Sequence, residues 1–305
     1  MKRYLPLRIF AAVILAGACT RNEANRSALE SMVQAEISFA KTSVAKGIRT
    51  AFLAYLADSC IVFRPHPVNG PAAYRERPDS PITLDWRPIY ADVSGAGDFG
   101  YTTGPWSITD NGPQKGPPRY GNYFSVWQRQ AEGNWKVIID LGISNPEPLD
   151  LPASWQAPAA GQDAKVRVHA AGEMAREKSA LLHRDQLLSA AALANGIVAA
   201  YQSHLAAEAR LLRMEQFPIT EKEKIYAKLS ERQGVCSWRP QHAEMAQSLD
   251  LAYTMGAYEF GPVESTAVVE RGYYVRMWKR QPNADWQIVL EVESPLPPEA
   301  SVTDN

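Results

Sequence analysis

Cysteine is scarce in this sequence, histidine is unclustered, and neither sign of charge dominates. Its 305 residues include only three cysteines, Cys19, Cys60 and Cys236, and its five histidines (His66, His169, His183, His204 and His242) show neither HxxxH nor CxxC spacing. That pattern argues against a metal site, while Cys60 and Cys236 could form one disulfide in an oxidising periplasm. Cys60 and Cys236 stand one in each half of the chain, in strand-like apolar surroundings where a free buried thiol is the ordinary state. Lys and Arg number 32 against 33 Asp and Glu, with no basic block, so a nucleic-acid partner is excluded. No cofactor is expected. No apolar run approaches the roughly 20 residues that a membrane span needs.

What is present begins with an address. MKRYLPLRIFAAVILAGACT opens on Lys2, Arg3 and Arg8, continues through an apolar run from Ile9 to Leu15, and places Ala16, Gly17 and Ala18 before Cys19. Residues 1–18 therefore read as a secretory signal peptide. The run ALAGAC resembles the lipobox of bacterial lipoproteins, whose cysteine is acylated and becomes the new N-terminus, although Ala16 stands where that pattern usually has Leu. Cys19 is accordingly the expected lipid attachment and the only expected link to a membrane. Thr20, in place of an aspartate, implies the outer membrane, so the expected location is the bacterial periplasm or outer membrane. Removing residues 1–18 takes away three basic residues and no acidic one, leaving a net charge of about −4.

The remaining chain repeats itself. GIRTAFLAYLA from Gly47 matches GIVAAYQSHLA from Gly196, and DWRP at 85–88 matches SWRP at 237–240. YTTGPW at 101–106 matches YTMGAY at 253–258, and GNYFSVWQRQAEGNWKVII matches GYYVRMWKRQPNADWQIVL. Four collinear blocks predict an internal duplication. The expected domains are residues 28–146 and 173–296. Between them, residues 147–172 read as an exposed connector rich in Pro, Ala and Gly.

Each copy begins with helical spacing and ends with strand alternation. Leu29, Met32, Val33, Ile37, Phe39 and Ala40 recur at helical intervals, Gly47 breaks the run, and Phe52, Leu53 and Leu56 follow in a second helix. In WKVIIDLG, alternation predicts Trp135, Val137, Ile139 and Leu141 on one face and Asp140 on the other. Asp140 and its counterpart Glu291 are read as packing between sheets or solvated. Turns at AEGN and PNAD close the last hairpin of each copy. The fold class is α+β, with a curved antiparallel sheet wrapping the N-terminal helices.

These residues resemble the nuclear-transport-factor-2-like superfamily, and within it the SnoaL-like and domain-of-unknown-function 4440 members. The features that carry the likeness are the helix order, the VFRPHPVNG turn, the GDFGYTTGPW strand and the closing aromatic hairpin. The resemblance implies two tandem cone-shaped folds of the cystatin-like type, each with a pocket between sheet and helices. It implies no particular reaction, because such folds host many functions. In the ketosteroid-isomerase branch a carboxylate precedes Pro-Val and Gly and moves a proton inside the cone. His66-Pro67-Val68-Asn69-Gly70 is the matching run here, so His66 is the expected general acid/base, stiffened by Pro65 and Pro67. By the same likeness Asn122 is the expected oxyanion donor. Arg64, Trp86, Tyr101, Trp106 and Phe124 are the expected ligand-binding residues.

In the second copy Glu215 stands near the His66 position, and Tyr273 replaces Asn122, which is expected to shrink that cavity. The working pocket is therefore expected in the first cone, holding a small, largely apolar ligand. An isomerase-, cyclase- or hydrolase-type enzyme and a sheet-to-sheet scaffold are the alternatives. The two copies are expected to pair within the chain as a pseudo-dimer.

Overall fold

The computed structural model describes residues 10–113, 115–158, 167–262 and 268–298. Residues 1–9 of the expected signal peptide lie outside the described residues. Cys19 falls within the first helix, but its side chain is not among those described. Among the described residues no helix is long and apolar enough to cross a membrane.

The first half opens with α1 (Phe10–Lys46) and α2 (Ile48–Tyr55). Gly47 separates them at φ 84°, and Gly196 separates the corresponding helices of the second half at φ 86°. A side chain is strained at such an angle, so the glycine sets the turn between the two helices. Strands β1 (Leu56–Phe63) and β2 (Pro67–Asn69) then form a tight hairpin, with Phe63 opposite Pro67. Asn69 caps α3 (Gly70–Glu76) by accepting from the Ala72 amide, and Pro71 occupies its first turn. The proline-flanked VFRPHPVNG stretch is thus a turn that ends in a helix cap. Next come β3 (Ile82–Trp86), β4 (Tyr90–Val93), β5 (Phe99–Asp110), β6 (Arg119–Arg129) and β7 (Trp135–Asn145).

The second half repeats the plan with α4 (Ala171–Asn195), α5 (Ile197–Gln202), β8 (Leu205–Leu212), α6 (Lys222–Ser230), β9 (Val235–Met245), β10 (Leu251–Gly261), β11 (Glu270–Arg280) and β12 (Trp286–Pro295). The sheet orders are β2-β1-β7-β6-β5-β3, with β4 also on β5, and β8-β12-β11-β10-β9. Both sheets depart from the purely antiparallel expectation at one place, because β1 pairs with β7, and β8 with β12, in parallel. The molecule is α+β, two tandem cones in which helices cover one face of a sheet.

The other faces of the two sheets meet. Phe99, Tyr101, Phe124, Val126, Ile139, Leu141 and Ile143 form one buried cluster with Leu212, Tyr253, Met255, Val275, Met277, Leu290 and Val292. At its margin Lys279 reaches Asp92 at 2.6 Å, and Asp250 and Ser248 accept from the Gly95 and Ala96 amides.

Strand β7 corrects the alternation expected from sequence. Val126 pairs with Ile139 but its neighbour Trp127 pairs with Val137, so Ile138 is an extra residue. Such a bulge inverts the facing of all that follows. Trp135 and Val137 pack under the helices, whereas Ile139, Leu141 and Ile143 face the second sheet. Strand β12 bulges at the same place, between Ile288 and Leu290. Asp140 and Glu291 consequently enter the cones, contrary to the expectation that they lie between sheets or in solvent. The connector is also not wholly exposed. Gln156 exchanges two backbone hydrogen bonds with the Ile89–Ala91 segment, and Trp155 packs on the first core. Cys60 and Cys236 are buried and unbridged.

Candidate functional site

The expected site residues are dispersed. His66 is exposed, and its Nδ1 lies 2.9 Å from the hydroxyl of Tyr273 in the other half. Asn122, 4% exposed, shares the face of β6 that carries Phe124 and Val126 and therefore lies toward the second sheet. The expected pair of His66 and Asn122 around one ligand in the first cone is not formed. Tyr101 and Phe124 belong to the cluster between the sheets, so neither lines a cone. Arg64 is exposed, bonds the Tyr74 hydroxyl, and lays its guanidinium 4.7 Å from that ring.

Of the expected ligand-binding residues, Trp86 and Trp106 do face the first cone. Trp86 is spoken for, since its Nε1 donates to Glu36 at 2.6 Å. Trp106 lies across the glycines of β6 and β7. A Cβ on Gly121 would stand 2.3 Å from its ring, and one on Gly142 3.0 Å from its Nε1. Its indole occupies the space that side chains at those positions would fill.

The interior of the first cone holds a carboxyl that no local motif announced. Glu36, on α1 and 0% exposed, accepts from Trp86, from Trp127 Nε1 at 2.9 Å, and from Thr102 Oγ1 at 2.5 Å. Burial pushes its pKa up to about 7 against these three donors. Asp140 accepts from Ser125 at 2.8 Å; burial raises it to about 6, opposed by the Ser125 hydroxyl and the Arg64 charge.

The second cone solves the same problem with a cation. Arg276 stands at the position of Ser125, fully buried, and bonds Asp185 and Glu291, the counterparts of Glu36 and Asp140. Its guanidinium lies 4.4 Å from the rings of both Trp238 and Tyr274. Burial alone would raise Glu291, but Arg276 and Arg213 outweigh it and hold the carboxyl down at about 2. Arg213 bridges Glu291 to Glu293, and Arg232 bridges Glu293 to Glu270. Tyr273, expected to narrow this cone, instead turns to the first half, and Tyr274 is the residue that projects inward.

At the end of this ion network is a cavity of about 290 Å³ between β8, α6, β10, β11 and β12. Leu211, Met214, Leu229, Tyr258 and Pro295 form its apolar wall; Arg213, Arg232, Glu270 and Glu293 form its polar side. Tyr258 and Glu293 are the counterparts of Trp106 and Gly142. The indole over two glycines of the first cone is here a smaller ring over one, Gly272, held by a hydrogen bond to Glu270 at 2.7 Å, with an acidic side chain in place of the second glycine. Aligning the repeat blocks could have found this exchange. The same alignment sets Glu36 opposite Asp185, but it does not give the partners of Glu36, which arrive from three distant strands. Among the described residues no group of three or more potential ligands could hold a metal.

No protein-family model matches the chain, and no curated protein matches it. Solved structures similar to it include a ketosteroid isomerase-like protein from Erwinia carotovora atroseptica, at 13% identity over 39% of this chain and 96% of that one, with a TM-score of 0.33. An NTF2-like protein of unknown function from Pseudomonas putida matches at 13% identity over 43% of this chain and 93% of that one, with a TM-score of 0.34. A domain of unknown function with a cystatin-like fold from Nostoc punctiforme matches at 11% identity over 41% and 78%, with a TM-score of 0.33.

Proposed function

We propose that this chain is a small-molecule-binding protein whose ligand seat is in the second cone, with the first cone as its packed partner. The cavity of about 290 Å³ carries the reading, since it combines an apolar wall with a few fixed polar groups at one end. Its polar side is held rigid by ion pairs before any ligand arrives, which lowers the cost of ordering on binding. Export by residues 1–18 and acylation of Cys19 are part of the proposal and would place the binder at the outer membrane. The enzyme alternative rests on His66, whose ring is exposed and hydrogen-bonded to Tyr273 of the other half, and this favours the binding reading over it.

Native mass spectrometry of protein purified from its own periplasm tests the seat. A non-covalent adduct is expected on the wild type, and Leu229→Trp, which fills the cavity from α6, should abolish it. An adduct that survives Leu229→Trp in a folded protein would place the ligand elsewhere.

A further inference from the structure

We infer that one end of the molecule, where strand turns of both halves meet the start of α1, faces the bilayer, and that the cavity of the second cone opens away from it and takes its ligand from the aqueous phase. This rests on the cavity being the ligand seat and on acylation of Cys19.

The start of α1 is pinned to that end. Asn25 Nδ2 donates to the Ser94 carbonyl at 2.7 Å, and a Cβ on Gly97 would stand 3.0 Å from that of Ala28. Ser94 and Gly97 belong to the turn between β4 and β5. This turn meets the β9–β10 turn of the second half, where Asp250 accepts from the Gly95 amide at 2.7 Å and the Gln247 amide donates to the Asp98 carboxylate at 3.1 Å. The other two hairpin turns begin beside them, because the Arg129 amide donates to the Asp98 carbonyl and the Arg280 amide to the Asp250 carbonyl, each at 2.8 Å.

The cavity lies at the other end of the same strands. Its lining takes Leu211, Tyr258 and Pro295 from the closing residues of β8, β10 and β12, and Glu270 from the first residue of β11. Exposed Glu231 and half-buried Gln216 and Lys228 form its rim. Chain length then decides the orientation. From Asp250 to Tyr258 the chain advances eight residues, a span of about 26 Å at the usual strand rise. Cys19 precedes Asn25 by six residues, which reach about 9 Å as helix and at most about 22 Å fully extended. The tether is shorter than the strand, so the rim cannot be laid on the bilayer that holds Cys19. A molecule dissolved in that bilayer has to leave it before it can enter the cavity.

Collisional quenching on vesicles tests the inference. The mature lipidated chain is reconstituted in phosphatidylcholine vesicles doped with a lipid that carries a nitroxide on its headgroup. A thiol-reactive fluorophore is placed on Glu132→Cys, in the β6–β7 turn, or on Val269→Cys, beside the cavity; both positions are exposed, whereas Cys60 and Cys236 are buried. Quenching is expected at position 132 and should be lost at position 269. Equal quenching at the two positions, or stronger quenching at 269, overturns the orientation. Mass spectrometry of the same preparation separates the premises. An unmodified Cys19 refutes the anchoring, and the inference falls with it. A lipidated chain whose small-molecule adduct survives Leu229→Trp removes the ligand from this cavity and overturns the route of entry, while the quenching still reports which end faces the lipid.

Discussion

Glu36 and Glu291 occupy matching cones and respond to pH in opposite senses. In the folded chain Glu36 keeps its proton up to about pH 7, whereas unfolded it ionises near its ordinary value of 4.5. The folded state binds the extra proton, so this residue's contribution to stability is intact below about pH 4.5 and is lost as the pH rises to about 7. The loss amounts to at most about 3 kcal/mol. Glu291 is held down at about 2, so its contribution is present above about pH 4.5 and is lost as the pH falls toward 2. Denaturant titrations across pH 4 to 8 should show wild-type stability declining toward neutrality. Glu36→Gln should reduce that slope, most clearly between about pH 6 and 7, and leave the share that Asp140 contributes up to about pH 6, whatever its absolute cost from mismatched donors. An unchanged slope would mean that Glu36 is ionised throughout. At the same scale His66→Ala removes an exposed bond to Tyr273. It should cost less than about 1 kcal/mol and leave the cavity adduct unaltered; loss of the adduct would return His66 to the site.

At the scale of elements, the glycines of β6 and β7 make the room that the Trp106 ring occupies in the first cone. A Cβ on Gly121 would meet the Ile143 carbonyl at 2.0 Å as well as the Trp106 ring at 2.3 Å. Gly121→Ala should therefore destabilise the chain by about 2 kcal/mol or more in chemical unfolding. Adding Trp106→Ala should not rescue it, because the backbone contact persists. Rescue would show that the ring, not the strand spacing, makes the demand. Much of this scale was legible beforehand. The helix break at Gly47, the helices-then-strands order and the closing hairpins all follow from local chemistry that the residues carry with them. The facing of Asp140 was not, since one extra residue at Ile138 reverses parity and no propensity marks Ile138 over Ile139.

For the whole molecule, the cluster between the sheets covers the face through which a single cone could recruit a second chain. With Phe124 and Tyr101 packed against Val275 and Met255, each sheet already has its partner inside the chain. The lipid-free mature chain is expected to be monomeric, with light scattering giving one chain mass from micromolar to tenth-millimolar concentration. A stable dimer mass would require an interface beyond the two sheets.

The sequence by itself determined the opening helices and their break at glycine, the closing hairpins, the α+β class and the doubling of one plan, although Leu56, expected in the second helix, begins β1. Helical and strand periodicity and glycine conformation are properties of neighbours along the chain. Tertiary structure decided where chemistry could occur. His66 and Asn122 were matched by pattern, yet the hairpin and the strand face carry both toward the other half. Glu36 became a buried carboxyl because Trp86, Thr102 and Trp127 converge on it from three strands. The cavity beside Arg213 and Glu293 exists because Tyr258 and Glu293 leave room at positions where the first cone has Trp106 over two glycines. Periodicity is local, but direction and room are set by what packs from elsewhere.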